Sequence, residues 1–436
     1  MKTSKNDRSG LSVAPRGNVA VALIVCLACI ATSGVGAQYA GIDWGVALRH
    51  QSASLGEGDG ASLASVDSLR LFGEVYQRAG RLNLTYRIGG GLVYSAQQDN
   101  VFTDTGRETI VYAGRSGFEL LRVPEVADRA WLGAEIGRIA LSDPFGVLFS
   151  DPQAREQQQL ADGLTLNLRR RRLFVSLSAG YLGWLDKSVN RVRMTVSEQI
   201  DLYEPGDWLA QPRGVAVGRV EVDDLWSRQD AGLLLVAQQD FDDSDDPFDV
   251  PLSSYYGGLF VSGPFVVAGL DHQTMSILAY SVTDDTELAG VSLLIRNQFT
   301  YALSPTWIDS ARFAFEFASG GESLAPFPAL AGPDVSVALA EQLSDVVVFE
   351  LGTDASYSIP PASATVRPDV ALRLFLVPSG TPTSTGIETD GVFGGFEIAP
   401  SVSYRPIRGL DVAARAGFLF GETQRNVIRF EGRLAL

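Results

Sequence analysis

The chain has 436 residues, with 51 Asp and Glu against 35 Lys and Arg and a formal charge of −16. Such a chain lacks the basic face that nucleic-acid phosphates require, and its two His, His50 and His272, stand far apart with no second ligand at metal spacing. Apolar residues make up 46%, enough for a large ordered structure rather than disorder; no metal and no cofactor is expected.

The first element is an address. Lys2, Lys5, Arg8 and Arg16 precede an apolar run from Val19 to Ala31, and small residues follow as far as Val35-Gly36-Ala37. That order is the one of a secretory signal peptide, with cleavage expected between Ala37 and Gln38. The run is too short for the roughly 20 residues of a spanning helix. Lipid attachment at Cys29, after Ala28, is the weaker alternative. Removal of residues 1–37 takes four basic residues and one acidic one, leaving 31 against 50 and a charge of −19. Both Cys leave with it, so residues 38–436 must be held by backbone pairing and burial without disulfides.

Beyond residue 37, the sequence alternates with period two over stretches of about ten residues, as barrel strands do. Leu82, Leu84, Tyr86 and Ile88 alternate with Asn83, Thr85 and Arg87. Ala311, Phe313, Phe315 and Phe317 alternate with Ser310, Arg312, Ala314 and Glu316. Val366, Pro368, Val370, Leu372, Leu374 and Leu376 oppose Arg367, Asp369, Ala371 and Arg373, and the last strand sets Ile428, Phe430, Leu434 and Leu436 against Arg429, Glu431 and Arg433. Charges of both signs in mid-strand, opposite a continuous apolar and aromatic face, suit lipid outside and water inside. A soluble sandwich also alternates, but with fewer mid-strand Arg and Glu.

The expected connections alternate in length. Long ones fall at 52–65, 96–108, 142–162, 184–212, 241–253, 319–343 and 379–391, with medium ones near 122–128 and 283–287. Short ones fall at 79–81, Arg170-Arg171, Asp223–Arg228, Ser262-Gly263-Pro264, Ser304-Pro305, Pro360-Pro361 and Pro406–Gly409, with a last link at 422–425. The fold class is therefore an all-β, transmembrane, antiparallel up-and-down barrel of about 18 strands, 16 being the alternative because Phe265–Val282 reads as one strand or as a hairpin. Short periplasmic turns and long extracellular loops are expected, in a single barrel domain over 38–436.

The stretch Gly137-Arg138-Ile139-Ala140-Leu141-Ser142-Asp143-Pro144-Phe145-Gly146, followed by Ala161-Asp162-Gly163-Leu164, resembles the strand, inserted loop and return strand of bacterial outer-membrane porins and alginate-export-type barrels. The resemblance implies an outer-membrane channel for ions or small solutes. It also implies as partners outer-membrane lipid and the barrel assembly machinery, with a homo-oligomer possible. The end departs from that pattern: an aromatic residue is usual there, and this chain ends in Leu436, with Phe430, Gly432 and Leu434 keeping part of it.

Candidate sites follow. Phe145, Val147, Leu148 and Phe149 are apolar within a connection that should be polar, and Asp151-Pro152 can cap a short helix; the segment either folds into the lumen as a constriction or packs on the rim. The alternation turns Arg87, Glu135, Arg312, Glu316, Glu350, Asp354, Arg367, Asp369, Arg373, Arg415, Arg429 and Glu431 toward the lumen as pore-lining residues. There they either set a transverse field or close the lumen by pairing. Arg169–Arg172 reads as a hairpin turn rather than an anion site. The acidic run Asp240, Asp242, Asp243, Asp245, Asp246 and Asp249 lacks EF-hand order, and with Asp284, Asp285 and Glu287 reads as solvated external loop. No catalytic residue is expected: no Gly-x-Ser-x-Gly occurs, and Asp271-His272 and Asp223-Asp224 are strand neighbours pointing to opposite faces. The alternative function is a closed barrel with a structural or adhesive role through its acidic loops.

Overall fold

A computed structural model describes residues 37–57, 60–79, 84–99, 103–113, 116–121, 130–149, 159–181, 213–226, 228–241, 253–265, 269–282, 289–303, 308–320, 324, 345–359, 364–379, 391–407, 409–421 and 424–435. Residues 1–36, the long connections after Phe149 and Tyr181, and most of the acidic loops lie outside this set, and with them Asp151, Asp242–Asp249, Asp284, Asp285 and Glu287. The expected cleavage pair, Ala37 and Gln38, opens the first strand.

The described residues form strands and turns and no helix. In chain order the strands are β1 (Ala37–Glu57), β2 (Gly60–Ala79), β3 (Leu84–Asp99), β4 (Thr103–Ala113 with Ser116–Leu121), β5 (Ala130–Leu141), β6 (Gln159–Arg170), β7 (Leu173–Tyr181), β8 (Arg213–Trp226) and β9 (Gln229–Asp240). They continue as β10 (Ser253–Pro264), β11 (Leu270–Val282), β12 (Gly290–Ala302), β13 (Ser310–Ala318), β14 (Val346–Asp354 with Tyr357–Ile359), β15 (Ala364–Leu376), β16 (Phe393–Ile407), β17 (Leu410–Phe420) and β18 (Gln424–Ala435). Two strands are interrupted. Both pieces of β4 pair with β3, and both pieces of β14 pair with β15. Each strand pairs antiparallel with the next, and β1 closes on β18 from Gly45↔Ala435 to Gly56↔Gln424. The count is 18, and Leu270–Val282 is one strand.

Closure leaves no sheet edge and satisfies the backbone without water, which a lipid environment demands. The two faces then separate by parity. On β9, Leu234 and Val236 are 0% and 3% exposed while Leu233 and Leu235 are 37% and 52% exposed. The apolar residues left exposed, such as Leu132, Ile136, Leu164, Leu166, Leu168 and Leu177, lie on the outer face. Phe265, His272, Phe299 and Phe313 form a chain of ring contacts there at 5.3–6.5 Å, at the short-turn end, as an aromatic girdle does.

Two expected loops are corrected. Residues 52–65 belong mainly to β1 and β2, which pair as far as Glu57↔Gly60. Likewise β3 and β4 pair to Asp99↔Thr103, within the expected 96–108 loop. The sequence here is rich in small and polar residues, so alternation vanishes although pairing continues. The short turns fall within a few residues of the expected places, Arg171 taking a positive φ of 55° between β6 and β7. Across four neighbouring strands, Gly117, Gly137, Gly163 and Gly180 stand directly opposite one another. Gly117 and Gly137 adopt φ of 146° and 123°, and a Cβ at Gly163 would overlap the Ala179 carbonyl oxygen. Only glycine permits this close fold in the wall.

Candidate functional site

The connection leaving β5 turns back onto the inner face. Asp143 organises it: its carboxylate accepts the backbone N–H groups of Phe145 (3.1 Å), Val147 (2.9 Å), Leu148 (2.9 Å) and Phe149 (2.7 Å). Pro144 cannot donate, and Gly146 takes φ of 63°, so the chain wraps around one carboxylate. Burial pushes the Asp143 carboxyl above the usual carboxylate range, while the four N–H groups pull it back down.

Val147, Leu148 and Phe149 are buried at 5%, 0% and 1% exposure. They join one apolar cluster with the inner-face side chains Ile139, Leu141, Val215, Leu234, Tyr256 and Ile277, and Phe145 packs against it. Phe145 meets Phe260 edge-on at 5.8 Å. Phe260 in turn covers Arg219, whose guanidinium carbon lies 5.6 Å from that ring and 5.5 Å from Phe174, and Phe174 meets Trp131 at 6.4 Å. A guanidinium held between two rings gains cation–π attraction and keeps its planar fork oriented. Arg219 pairs with Glu221 on the same strand.

Every expected lumen residue shares the inner parity of its strand. Arg87 joins Glu74 (2.7 Å) and Glu119 across β2, β3 and β4. On the β12–β16 wall, Arg296 faces Glu316 at 3.5 Å, Arg312 bonds Glu350 (2.6 Å) and approaches Asp369 (3.4 Å), and Arg373 bonds Glu350 (2.7 Å) and Glu397 (2.7 Å). Glu397 is fully buried. Asp354 accepts the Ser310 hydroxyl proton. Arg367 is exposed on the same face of β15, and Glu135 stands on the inner face of β5. On β17 and β18, Arg415 stands directly opposite Arg429, and Glu431 lies 3.9–4.0 Å from both. Arg425 and Arg433 share that face.

The sequence reading missed Glu74, Glu119, Arg219, Glu221, Arg296, Glu397 and Arg425. Arg219, Glu221 and Asp223 alternate with Val220 and Val222 as the recognised strands do, so the signal was there. Arg169–Arg172 is the β6–β7 hairpin: Arg169 pairs with Asp223, and Arg172 with Asp224 at 2.9 Å. The carboxylates of Glu221, Asp223 and Asp230 lie within 4.8 Å of one another. Two hold arginines and Asp230 accepts the Asp224 N–H at 2.9 Å, so the cluster is accounted for without an ion. His50 stacks on Phe430 at 6.3 Å, and His272 Nδ1 lies 3.0 Å from the Gly263 carbonyl oxygen.

The 18-stranded closed barrel is the fold of bacterial outer-membrane porins. Pseudomonas aeruginosa OccK5 (OpdH) superposes with a TM-score of 0.55 at 12% identity, over 92% of this chain and 98% of that one. OccK7 (OpdD) of the same organism gives 0.56 at 14%, over 91% and 99%. OccK2 (OpdF), solved in complex with glucuronate, gives 0.54 at 11%, over 92% and 99%. No protein-family model matches the chain, and no curated protein matches it in sequence.

Proposed function

We propose that the chain is an outer-membrane channel through which small solutes diffuse, with residues 142–149, the start of the expected 142–162 connection, narrowing the lumen. The observation that carries this reading is the Asp143-tied segment, whose apolar side chains are packed against the inner face of a closed barrel. A segment held at the wall in this way reduces the free cross-section without a plug domain. The short-turn end faces the periplasm and the long-loop end the exterior.

Charge segregation around the inner face supports a substrate bias. Arg415, Arg425, Arg429 and Arg433 outnumber Asp411 and Glu431 on β17 and β18, while Glu316, Glu350, Asp354, Asp369 and Glu397 outnumber Arg312, Arg367 and Arg373 on β13–β16. Opposed signs set a transverse field that orients a polar solute and lowers the barrier for small carboxylates along the arginine side. The glucuronate complex of OccK2 accords with that bias. A closed barrel is the second reading, favoured by the buried Arg373–Glu397 pair, which fills inner-wall space.

Single-channel recording in a planar bilayer tests the two. Stepwise openings, with a reversal potential in a salt gradient that shifts toward anions, are expected of the channel. Silence from folded, inserted protein overturns it in favour of the closed barrel.

A further inference from the structure

The docked loop and a lumen arginine share one aromatic ring. Phe260, on β10, is 2% exposed, and its side chain lies across the neighbouring strand β9 above Gly232, where a Cβ would come within 2.3 Å of its Cζ. In register Gly232 stands opposite both Phe260 and Glu221. The missing side chain is what lets the ring reach β8. There it covers Arg219, with the guanidinium carbon 5.6 Å from the ring centroid. The loop meets the same ring through Phe145, edge-on at 5.8 Å.

Arg219 depends on its aromatic neighbours. Its Nε is buried and makes no hydrogen bond among the described residues, while its Nη2 donates to Glu221 on its own strand. Two rings supply further contact, Phe260 and, on β7, Phe174 at 5.5 Å. A cation is drawn to a ring face by the ring's quadrupole, and more so where water is excluded. That attraction needs the ring to stay in place. Phe260 is held by the apolar cluster that Val147, Leu148 and Phe149 complete, with Phe145 packed against it. The two contacts are therefore linked, and such a coupling is equal in both directions.

We propose that Arg219 is a positioning residue of the constriction. By holding Phe260 over Gly232 it strengthens the docking of residues 145–149, and the docked loop in turn fixes the guanidinium at the inner wall. Lumen width and the placement of a wall cation then change together. The constriction it serves belongs to the channel reading, whereas docking itself is measurable without conduction.

Thiol labelling of the folded chain in detergent tests the coupling. Val147→Cys, nearly isosteric at a 5% exposed loop position, meets an uncharged maleimide only when the loop leaves the wall. The native Cys26 and Cys29 lie far from it in sequence, so modification at residue 147 is read from the mass of its own peptide. With fast reclosing, the rate follows the undocked population. Adding Arg219→Gln should speed labelling about two- to fivefold, the loss of one cation–π contact. Arg219→Lys, which keeps a cation over the ring, should label more slowly than Arg219→Gln. Phe260→Leu should speed labelling at least as much as Arg219→Gln, and the two together no further. An unchanged rate in Arg219→Gln, a Lys variant as fast as the Gln variant, or the same fold-gain from Arg219→Gln in the Phe260→Leu background overturns the coupling. If Phe260→Leu gives no folded band on an unheated gel, the two Arg219 variants decide alone. A silent bilayer with the expected labelling removes the channel and leaves the coupling; conduction with unaltered labelling does the reverse.

Discussion

Replacing Asp143 by Ala removes the acceptor of four backbone N–H groups while leaving every apolar side chain of the loop in place. Three of those donors belong to Val147, Leu148 and Phe149, which are at most 5% exposed. Leaving a buried donor without a partner costs about 1–3 kcal/mol, so three together cost roughly 3–9 kcal/mol. Burial of the same three side chains holds the loop down by about 1.5–3 kcal/mol each, roughly 5–9 kcal/mol together. The two ranges overlap. Asp143→Ala should therefore bring the docked loop close to parity with an undocked one, whose N–H groups reach water. In a planar bilayer the variant should flicker between the parent conductance and a larger one. Asp143→Asn, which keeps one acceptor oxygen, should flicker less. Folded Asp143→Ala protein with the parent's single level and noise would refute the claim that this carboxylate holds the loop.

Three further outcomes follow from the same geometry. Because burial raises the Asp143 carboxyl above its ordinary 3.8 in the docked loop, the docked form binds the proton more tightly than an undocked, solvated one. Docking is then strongest below the ordinary value, weakens as pH rises through the window up to the raised value, and is constant above it; open-level flicker recorded against pH should rise across that window and lose its pH dependence in Asp143→Asn. Neutralising Glu350, which bridges Arg312 and Arg373, adds one positive charge to the inner wall. For an ion passing at about 8 Å in water that is worth roughly 0.5 kcal/mol unscreened and roughly 0.2 kcal/mol at physiological salt, with opposite sign for anion and cation, so the anion over cation permeability rises about twofold, and a reversal potential moving toward cations for Glu350→Gln would contradict it. Gly163→Val places atoms onto the Ala179 carbonyl and should yield no folded barrel on an unheated gel, whereas Gly432→Ala, whose Cβ meets nothing within 4 Å, should fold as the parent does.

The strands that sequence reveals are those crossing the apolar band. β13, with Phe313, Phe315 and Phe317 outside and Arg312 and Glu316 inside, has two solvents to satisfy, and its alternation records both. The upper halves of β1 and β2 have no such contrast. Ser52–Leu55 and Ser62–Ser65 pair residue for residue, yet their composition reads as loop, and the register comes from the hairpin and from closure on β18. Parity likewise sorted the lumen charges but could not join them: Arg312, Glu350, Arg373 and Glu397 come from four strands, and only the register makes them one ladder.

The loop shows where pattern gives way to backbone geometry. Its apolar residues were visible as an anomaly in a connection, which is why folding inward and packing on the rim were both open. What holds the segment is a set of N–H groups converging on Asp143, and a side-chain alphabet carries no record of where backbone donors point. The outward Arg138–Asp162 pair has the same origin. Arg138 and Asp162 stood in view on strands that read as a hairpin, and an arginine and an aspartate in separate strands look like two lumen charges. Their outward parity follows only from counting back from Ile136 and Leu164, both exposed. A charge pair on the outward parity, beside a row of glycines, is thus a feature that strand periodicity conceals and register exposes.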